Sequence, residues 1–267
     1  NTMQRDKGLS PKMVRLTHGV LHKALDQAVK LGFIRINPAK ACTLPRMTQK
    51  EIQPLDDPEL VAFLSAAEGN ILEYLFKTAV FTGMRQGELL GLTWDCVDFS
   101  NLKIRVEKQL LRPRRKGDTY VFGSLKNDKV RVIQPAKTVF TILKRQRLWQ
   151  SQCKLKAGEI WHSGTFEGLV FTNEIGNHLS YQIVYRAFKS LIERAGIEDN
   201  RRFHDLRHTY AVNSLRALDD VKTVQENLGH ATAAFTLDKY AHVTETMRRD
   251  SANRMEAFIE KLNVENL

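Results

Sequence analysis

Cysteine is scarce in this sequence, and the spacing of the few present excludes two classes of site. The chain has three cysteines in 267 residues, and Cys42, Cys96 and Cys153 lie far apart. No C-x-x-C pair occurs and the number is odd, so the sequence indicates neither a thiolate zinc site nor a disulfide framework. We therefore expect a reducing compartment, the cytoplasm, in which thiols stay unpaired.

Long hydrophobic runs are also missing. No apolar stretch approaches the ~18 residues that a membrane-spanning helix needs, and the first residues do not have the pattern of a signal peptide. Hydrophobic residues make up 42% and charged residues 27% of the chain, which is typical of a globular protein without a membrane partner. The chain begins with Asn1 rather than Met, so we expect it to be a piece of a longer protein.

Acidic residues are few compared with basic ones. The chain has 41 Lys and Arg against 30 Asp and Glu, a net charge of +11. This excess favours an anionic partner, of which nucleic acid is the usual one, although a basic surface without a partner is the alternative. Residues 1–50 alone contain ten basic and two acidic residues, a net charge of +8.

The first part of the chain predicts one amphipathic helix. In LSPKMVRLTHGVLHKALDQAVKLGF, Ser10 is a suitable N-cap and Pro11 suits the first helical position. Apolar residues then recur at helical spacing until Gly32 ends the pattern. A lone amphipathic helix cannot bury its own apolar stripe, so we interpret residues 1–45 as part of a helical domain that packs on other residues or on a partner.

A polar segment separates this helix from the rest of the chain. TLPRMTQKEIQPLDDPEL has three prolines and no periodicity, which predicts a linker at 46–56. The second unit is expected to begin with Asp57 as a helix cap and Pro58 at the first helical position. It would extend over residues 57–267.

The sequence predicts that the second unit is a mostly helical α+β domain. β-branched and alternating residues predict a small three-stranded antiparallel sheet from 102–111, 119–124 and 130–134, with a turn at 126–129. LVFTN predicts a further short strand. Helices are predicted at 57–68, 70–82, 137–155, 180–195, 204–216, 219–228, 233–240 and 246–262. Helices, a small sheet and then helices are typical of an α-rich α+β domain.

The stretch RRFHDLRHTYA offers two chemical interpretations. His204 and His208 are four residues apart, a spacing that places two zinc ligands on one face of a helix. Arg207 lies on the same turn, however, and a guanidinium there opposes a bound cation. His204 and Arg207 instead share a face, and together they offer directional donors that suit a phosphate. The alternative is a helix start with solvated basic residues.

Other segments supply side chains for the same chemistry. In FTGMRQGELLGLTW, Arg85 lies two residues after Gly83 at the start of a helix, and Glu88 shares its face and is placed to orient the guanidinium. NLGHATAAFTLDKYAHV places His230 at a helix end and Tyr240 ten residues later. Lys126 sits at the tip of the predicted hairpin.

These motifs, in this order and spacing, resemble the tyrosine recombinases of the phage and conjugative-transposon integrase type. The matching positions are Arg85 in T-G-M-R-x-x-E-L, Lys126 in the hairpin, His204 and Arg207 in H-D-L-R-H-T, His230 in L-G-H, and Tyr240 in Y-A-H-V. Each motif alone is weak, but the ordered set is specific. Lys129 lies in the same turn as Lys126, and the placement of Lys126 before Arg131 fits the family hairpin better.

The resemblance implies a site-specific recombinase that breaks and rejoins DNA without a cofactor or metal. Tyr240 would attack a phosphodiester and form a 3′-phosphotyrosine, which a 5′-hydroxyl of a second strand then attacks. His204 would act as base or proton relay, because a phenol with a pKa near 10 must lose its proton to react.

The remaining site residues would stabilise charge. The resemblance implies that Arg85 and Arg207 clamp the non-bridging oxygens while His230 donates to one of them. Lys126 would protonate the leaving 5′-oxygen, and Glu88 would support Arg85 without touching the DNA. These cations would do the electrostatic work that Mg²⁺ does in many phosphoryl-transfer enzymes.

The resemblance also implies partners. The first 45 residues match the last part of the family's core-binding domain, so Lys12, Arg15 and Lys23 are expected to contact double-stranded DNA. The helix at 246–262 would pack either on its own domain or on a neighbouring protomer in a homotetramer on two attachment sites. The rival functions are a type IB topoisomerase, a non-catalytic DNA-binding protein of the same fold and, more distantly, a zinc hydrolase.

Overall fold

The computed structural model of the chain describes residues 6–47, 53–113, 115, 117–125, 130–162, 164–229 and 252–261. By internal contacts, the chain divides into two compact units, Asn1–Glu51 and Ile52–Leu267. This boundary falls within the segment predicted as a linker. Among the described residues, no helix is both long and apolar enough to cross a membrane.

The first unit is built around one helix, α1 (Pro11–Lys30), as the sequence predicts. The Ser10 hydroxyl caps the helix by accepting from the backbone N–H of Met13 at 3.3 Å. None of the residues of α1 is buried within the unit. The buried Asn37 fastens the chain that follows to the helix, because its side-chain amide donates to the carbonyl of His22 and to the carboxylate of Asp26.

The second unit contains eight described helices and five short strands. The helices are α2 (Asp57–Ala67), α3 (Glu73–Thr82), α4 (Gln86–Leu90), α5 (Lys137–Ala157), α6 (Tyr181–Arg194), α7 (Asp205–Arg216), α8 (Val221–Leu228) and α9 (252–261). The strands are β1 (Val97–Asp98), β2 (Lys103–Val106), β3 (Lys108–Leu111), β4 (Val121–Ser124) and β5 (Arg131–Ile133). The mostly helical α+β fold expected from the sequence is confirmed. The predicted helix at 233–240 and the turn at 126–129 lie outside the described residues.

The start of α2 corrects the sequence-based prediction by one position. Asp56, not Asp57, is the N-cap, and it forms a capping box with Glu59 in which each side chain binds the other residue's backbone N–H. Asp57 instead pairs with Arg216 at 2.7 Å. Pro58 follows both aspartates and does not distinguish them, whereas the three-residue spacing of Asp56 and Glu59 fits a capping box.

The sheet also differs from the prediction, because the expected long strand at 102–111 is two strands. β2 pairs antiparallel with β1 and β5 in one sheet, whereas β3 pairs antiparallel with β4 in a separate hairpin. The backbone of β3 packs against Gly91 at the end of α4, where a β-carbon would lie 2.8 Å from the amide nitrogen of Leu110. β3 therefore packs against the end of α4 and belongs to a different sheet from β2.

The strand predicted at LVFTN is wrong. The segment forms only two isolated bridges, Thr93 with Leu169 and Thr172 with His178. The side-chain amide of Gln146 on α5 donates to the carbonyl of Val170 at 2.9 Å. A backbone carbonyl that is satisfied by a helix side chain does not need a neighbouring strand.

The core of the second unit forms around α3. Four phenylalanine rings meet there at centroid distances of 5.7–6.4 Å, namely Phe63, Phe76, Phe188 and Phe203. A smaller apolar cluster joins α7 to α8 and includes Leu215, Val224 and Leu228, each at most 1% exposed. This cluster holds the C-terminal end of α8 against α7, where the site residues lie.

Candidate active site

A glycine turn places the first arginine of the site. α3 ends at Thr82, and Gly83 caps it in the left-handed conformation with φ of +61°. A β-carbon at Gly83 would lie 2.5 Å from Cδ1 of Tyr210 and 2.7 Å from Cδ2 of Leu228. Only glycine therefore fits both the backbone angle and the space, and the turn presents Arg85 as the N-cap of α4.

Glu88 holds Arg85 from within the same turn. Its Oε1 accepts from Nη1 of Arg85 at 2.7 Å, and its Oε2 accepts from the backbone N–H of Arg85 at 2.9 Å. The side chain of Glu88 is 1% exposed, whereas that of Arg85 is 25% exposed. The pairing expected from the i, i+3 spacing is present, and it leaves part of the guanidinium open.

Arg131 binds the same carboxylate. In the sequence, Arg131 served only to choose between the two lysines of the hairpin. It extends from β5 and donates from Nη2 to Oε2 of Glu88 at 2.7 Å and from Nη1 to Oε1 at 3.0 Å. Burial raises the pKa of Glu88, but the hydrogen bond from Arg131 and the charges of Arg131 and Arg85 outweigh it and hold the pKa at about 2. Glu88 is therefore ionised at neutral pH.

The second expected arginine comes from α7. His204 is the N-cap of this helix and Arg207 lies in its first turn, 3% exposed. The guanidinium of Arg207 donates from Nη1 to the carbonyl of Gly83 at 2.7 Å and from Nη2 to the carbonyl of Leu228 at 2.5 Å. Arg207 therefore joins α7 to the glycine turn and to the end of α8.

Three arginines meet at the C-terminal end of α8. Arg131 donates to the carbonyl of Asn227 at 2.9 Å. Arg207 donates to the carbonyl of Leu228 at 2.5 Å, and Arg85 donates to the carbonyl of Gly229 at 3.2 Å. Carbonyls at a helix C-terminus lack partners within the helix and carry the negative end of its dipole, so they attract cations. The shared helix end therefore brings together the two arginines that the motifs predicted.

The paired histidines are both neutral at pH 7. The side chain of His204 reaches solvent, yet desolvation by the protein around it, followed by the charges of Arg207 and Arg85, lowers its pKa to about 4. Desolvation, followed by the charge of His204, also lowers the pKa of His208 to about 4. The two rings pack edge to face at 5.0 Å. A neutral imidazole has a lone pair that can accept a proton, although the two guanidinium groups beside His204 disfavour the protonated form.

Three of the predicted catalytic residues, Lys126, His230 and Tyr240, lie outside the described residues. The predicted DNA contacts Lys12, Arg15 and Lys23 are exposed on α1, in the other unit. The guanidinium of Arg15 donates from Nε to the carbonyl of Pro45 at 2.8 Å. The geometry described here therefore contains Arg85, Glu88, His204 and Arg207 of the predicted site, with Arg131 in addition.

Among the described residues, one group has the spacing of metal ligands, and it does not include the histidines. It consists of Asp95, Cys96 and Glu107. The guanidinium of Arg105 already occupies this group, since Nε donates to Glu107 at 2.7 Å and Nη2 lies 3.8 Å from Asp95. The acidic side chains there serve to neutralise an arginine.

Residues 47–247 match the model of the phage integrase family, and the chain belongs to that family. This confirms the resemblance seen in the motifs. Among curated relatives, a tyrosine recombinase XerC-like protein of Caldanaerobacter subterraneus is 32% identical over 250 residues, 89% of this chain and 64% of that protein. The ICEBs1 integrase of Bacillus subtilis is 26% identical over 268 residues, 94% of this chain and 67% of that protein. The chain thus spans about two thirds of their length.

Solved structures support the same fold. The Tn1549 transposon integrase, in complex with a circular intermediate DNA, has a TM-score of 0.78 and 25% identity, covering 94% of this chain and 82% of that one. The XerA recombinase has a TM-score of 0.59 at 22% identity, covering 96% and 80% of the two chains. The lambda integrase dimer on a core site has the same TM-score at 20% identity, covering 89% and 76%. These last two likenesses concern the fold alone.

Proposed function

We propose that this protein is a site-specific DNA recombinase that integrates or excises a mobile element. It cleaves and rejoins double-stranded DNA through a 3′-phosphotyrosine intermediate. The relatives support this proposal, because two of them are the integrase of ICEBs1 and the integrase of the Tn1549 transposon. The relatives are bacterial proteins, so the reaction takes place on DNA in the cytoplasm.

One observation carries the proposal. Arg85 and Arg207, which are far apart in the sequence, bind adjacent carbonyls of one helix end, with His204 beside them. Glu88 pairs with Arg85 and with Arg131, so three guanidinium groups at this helix end are balanced by one carboxylate and the cluster keeps an excess of positive charge. An arginine stays charged when buried and its planar fork matches phosphate oxygens. Such a cluster fits a phosphodiester that gains negative charge as it reacts.

Tyr240 is the nucleophile of the proposed reaction. A free phenol has a pKa near 10, so a tyrosine nucleophile must lose its proton as it attacks phosphorus. His204 takes that proton, directly or as a relay, because its low pKa leaves the imidazole neutral and able to accept. A bound phosphate offsets the charges of Arg85 and Arg207, which weakens their opposition to a protonated His204.

The other predicted residues complete the charge balance. In the transition state, Arg85 and Arg207 bind the non-bridging oxygens and His230 donates to one of them. Lys126 gives a proton to the departing 5′-oxygen, and the phosphate bond is kept as an ester of Tyr240. A 5′-hydroxyl of another strand then displaces the tyrosine. The cationic side chains supply the stabilisation that Mg²⁺ supplies in many phosphoryl-transfer enzymes, so we propose that cleavage proceeds without added metal.

DNA binding and assembly belong to the same proposal. The exposed lysines of α1 contact the duplex and make binding dependent on salt. Four protomers assemble on two attachment sites. α9 supports assembly, since Met255, Phe258 and Ile259 are 58%, 56% and 40% exposed along it. The topoisomerase, non-catalytic and hydrolase alternatives gain no support from relatives named as integrases and recombinases.

A nicked suicide DNA substrate tests the proposal. The wild-type protein should form a covalent protein–DNA adduct in the presence of EDTA, and Tyr240→Phe should bind the same DNA without forming it. An adduct from Tyr240→Phe would show that another residue is the nucleophile. Loss of the adduct in EDTA would show that the reaction needs a metal. Joining of two attachment sites, compared with relaxation of supercoiled DNA, separates recombination from topoisomerase activity.

A further inference from the structure

Arg131 belongs to a strand, but its side chain contacts two segments of the candidate site. It lies on β5, at the edge of the three-stranded sheet, and its side chain is 11% exposed. Its Nη atoms bind both oxygens of Glu88, and its Nε binds the carbonyl of Asn227 at the end of α8. One guanidinium therefore ties the sheet to the two segments that border Arg85.

Gly229 provides the space for this contact. A β-carbon there would lie 3.1 Å from Nη1 of Arg131 and 3.2 Å from its Cδ. Gly229 also has φ of +63° as the C-cap of α8. Its carbonyl accepts from Arg85 on the other side. The residue that ends α8 thus lies between the two arginines, with Arg131 packed closely against it.

We infer that Arg131 is a positioning residue for DNA cleavage, which sets the direction of Arg85 by fixing Glu88 and the end of α8. The inference rests on the proposed function. Arg131 acts through Glu88 and does not touch the phosphate. Its contacts with Glu88 and with Asn227 hold the two surfaces that bind Arg85 at a constant separation, so the exposed part of Arg85 points in one direction.

The chemistry of the pair explains why an arginine is needed. Glu88 is 1% exposed, and a buried carboxylate without a full set of partners takes up a proton instead. A protonated Glu88 would bind Arg85 weakly, because one oxygen would become a donor. The planar fork of arginine serves both carboxylate oxygens and still leaves Nε for the helix carbonyl. A lysine ammonium can replace the charge but not this geometry.

Cleavage rate on the suicide substrate tests the inference. Arg131→Met should slow adduct formation by about 100-fold, the size of effect that misplacement of a catalytic group produces, while DNA affinity stays near the wild-type value. Arg131→Lys keeps the charge and should show a smaller loss. Arg105→Met is the matched control, since Arg105 lies on the adjacent strand opposite Val132 and pairs with Glu107 at the surface. It should cleave at the wild-type rate.

The pH dependence separates positioning from a merely structural role. The groups facing Glu88 are Arg85 on its own turn, Arg131 on β5 and Tyr181 on α6. Without Arg131, burial dominates and the pKa of Glu88 rises, so the acid limb of the rate profile moves to higher pH than in the wild type. His204 titrates in both proteins and does not produce the difference. Adding Glu88→Gln to Arg131→Met should remove the shift, because glutamine does not titrate.

The outcomes are distinct. A wild-type cleavage rate in Arg131→Met, or a rate lowered equally at every pH, overturns the inference. If Arg131→Met does not fold, which thermal melting would show, Arg131→Lys decides. A reduced rate with a raised acid limb supports positioning, because lysine keeps the charge but loses the hydrogen bonds of the fork to Glu88. A wild-type rate, or a reduced rate with an unshifted acid limb, overturns the inference. If the wild-type protein forms no adduct at all, the proposed function fails and the role of Arg131 in cleavage falls with it.

Discussion

Arg207 on α7 donates from Nη1 to the carbonyl oxygen of Gly83, at 2.7 Å, and both groups are buried. The bond joins α7, whose N-cap is His204, to the turn that presents Arg85. Because Arg207 also binds the carbonyl of Leu228, its position depends on two backbone segments and not on its own helix alone. Arg207 therefore links α7 to the turn before Arg85 and to the end of α8.

Gly83 should tolerate no side chain. Gly83→Ala places a β-carbon 2.5 Å from Cδ1 of Tyr210 at a φ of +61°, and we expect it to lower the free energy of unfolding by roughly 2–4 kcal/mol. Gly69→Ala is the matched control: its φ is +72° and nothing lies within 4 Å of the added carbon, so only strain of about 1 kcal/mol applies. Urea denaturation of both variants measures the difference. Equal losses would mean that the collision with Tyr210 is relieved without cost.

Arg207→Lys should impair cleavage much more than DNA binding. A lysine cannot bind both Gly83 and Leu228 and still face a phosphate, so we expect adduct formation to slow by about 10²–10³-fold. Arg216→Lys on the same helix is the control, because Arg216 is 51% exposed and pairs with Asp57 at the surface. It should change the rate less than about twofold. Similar losses in the two variants would argue against a role of Arg207 at the phosphate.

The neutral histidine pair should make stability depend on pH. The pKa values of His204 and His208 are lowered from 6.5 to about 4 in the folded chain, so the unfolded chain binds more protons between those values. Their contribution to stability is complete above pH 6.5 and is lost as the pH falls toward 4. Urea unfolding at pH 7.5 and pH 5 should show this loss in the wild type and less of it in His204→Gln/His208→Gln. Equal losses of stability in the two proteins would show that groups other than these histidines cause the pH dependence.

The lysines of α1 should account for part of the salt dependence of DNA binding. Lys12→Ala and Lys23→Ala should each reduce the slope of log affinity against log salt by about 0.9 if each lysine contacts one phosphate. Lys77→Gln is the comparison, because Lys77 is paired with Glu73 at 2.6 Å and 17% exposed. It should leave the slope unchanged. Unchanged slopes for Lys12 and Lys23 would remove α1 from the proposed DNA contacts.

Local sequence patterns were sufficient to predict a contact where both residues lie within one helical turn of the chain. The pairing of Arg85 with Glu88 follows from their i, i+3 spacing, and the cap of α1 follows from Ser10 with Pro11. The motif that contains His204 and Arg207 also predicted its residues correctly as neighbours on one helix end. In each case the distance along the chain is one helical turn, so backbone geometry alone brings the groups together.

Local sequence patterns did not predict the structure correctly where a residue's partner is distant in the sequence. The strand predicted at 102–111 divides at Glu107 because β2 and β3 find different partners, β5 and β4. Arg131 carries no local signal of its role, since its carboxylate and its carbonyl come from α4 and α8.

The sequence by itself determined the family, the order of the motifs and the basic character of the chain. These depend on residue identity and spacing, which folding does not change. Only the tertiary structure decided that Asn227, Leu228 and Gly229 would each accept from a different arginine. The carbonyls at a helix end lack partners within their own helix, and which cations satisfy them depends on what packs against that end.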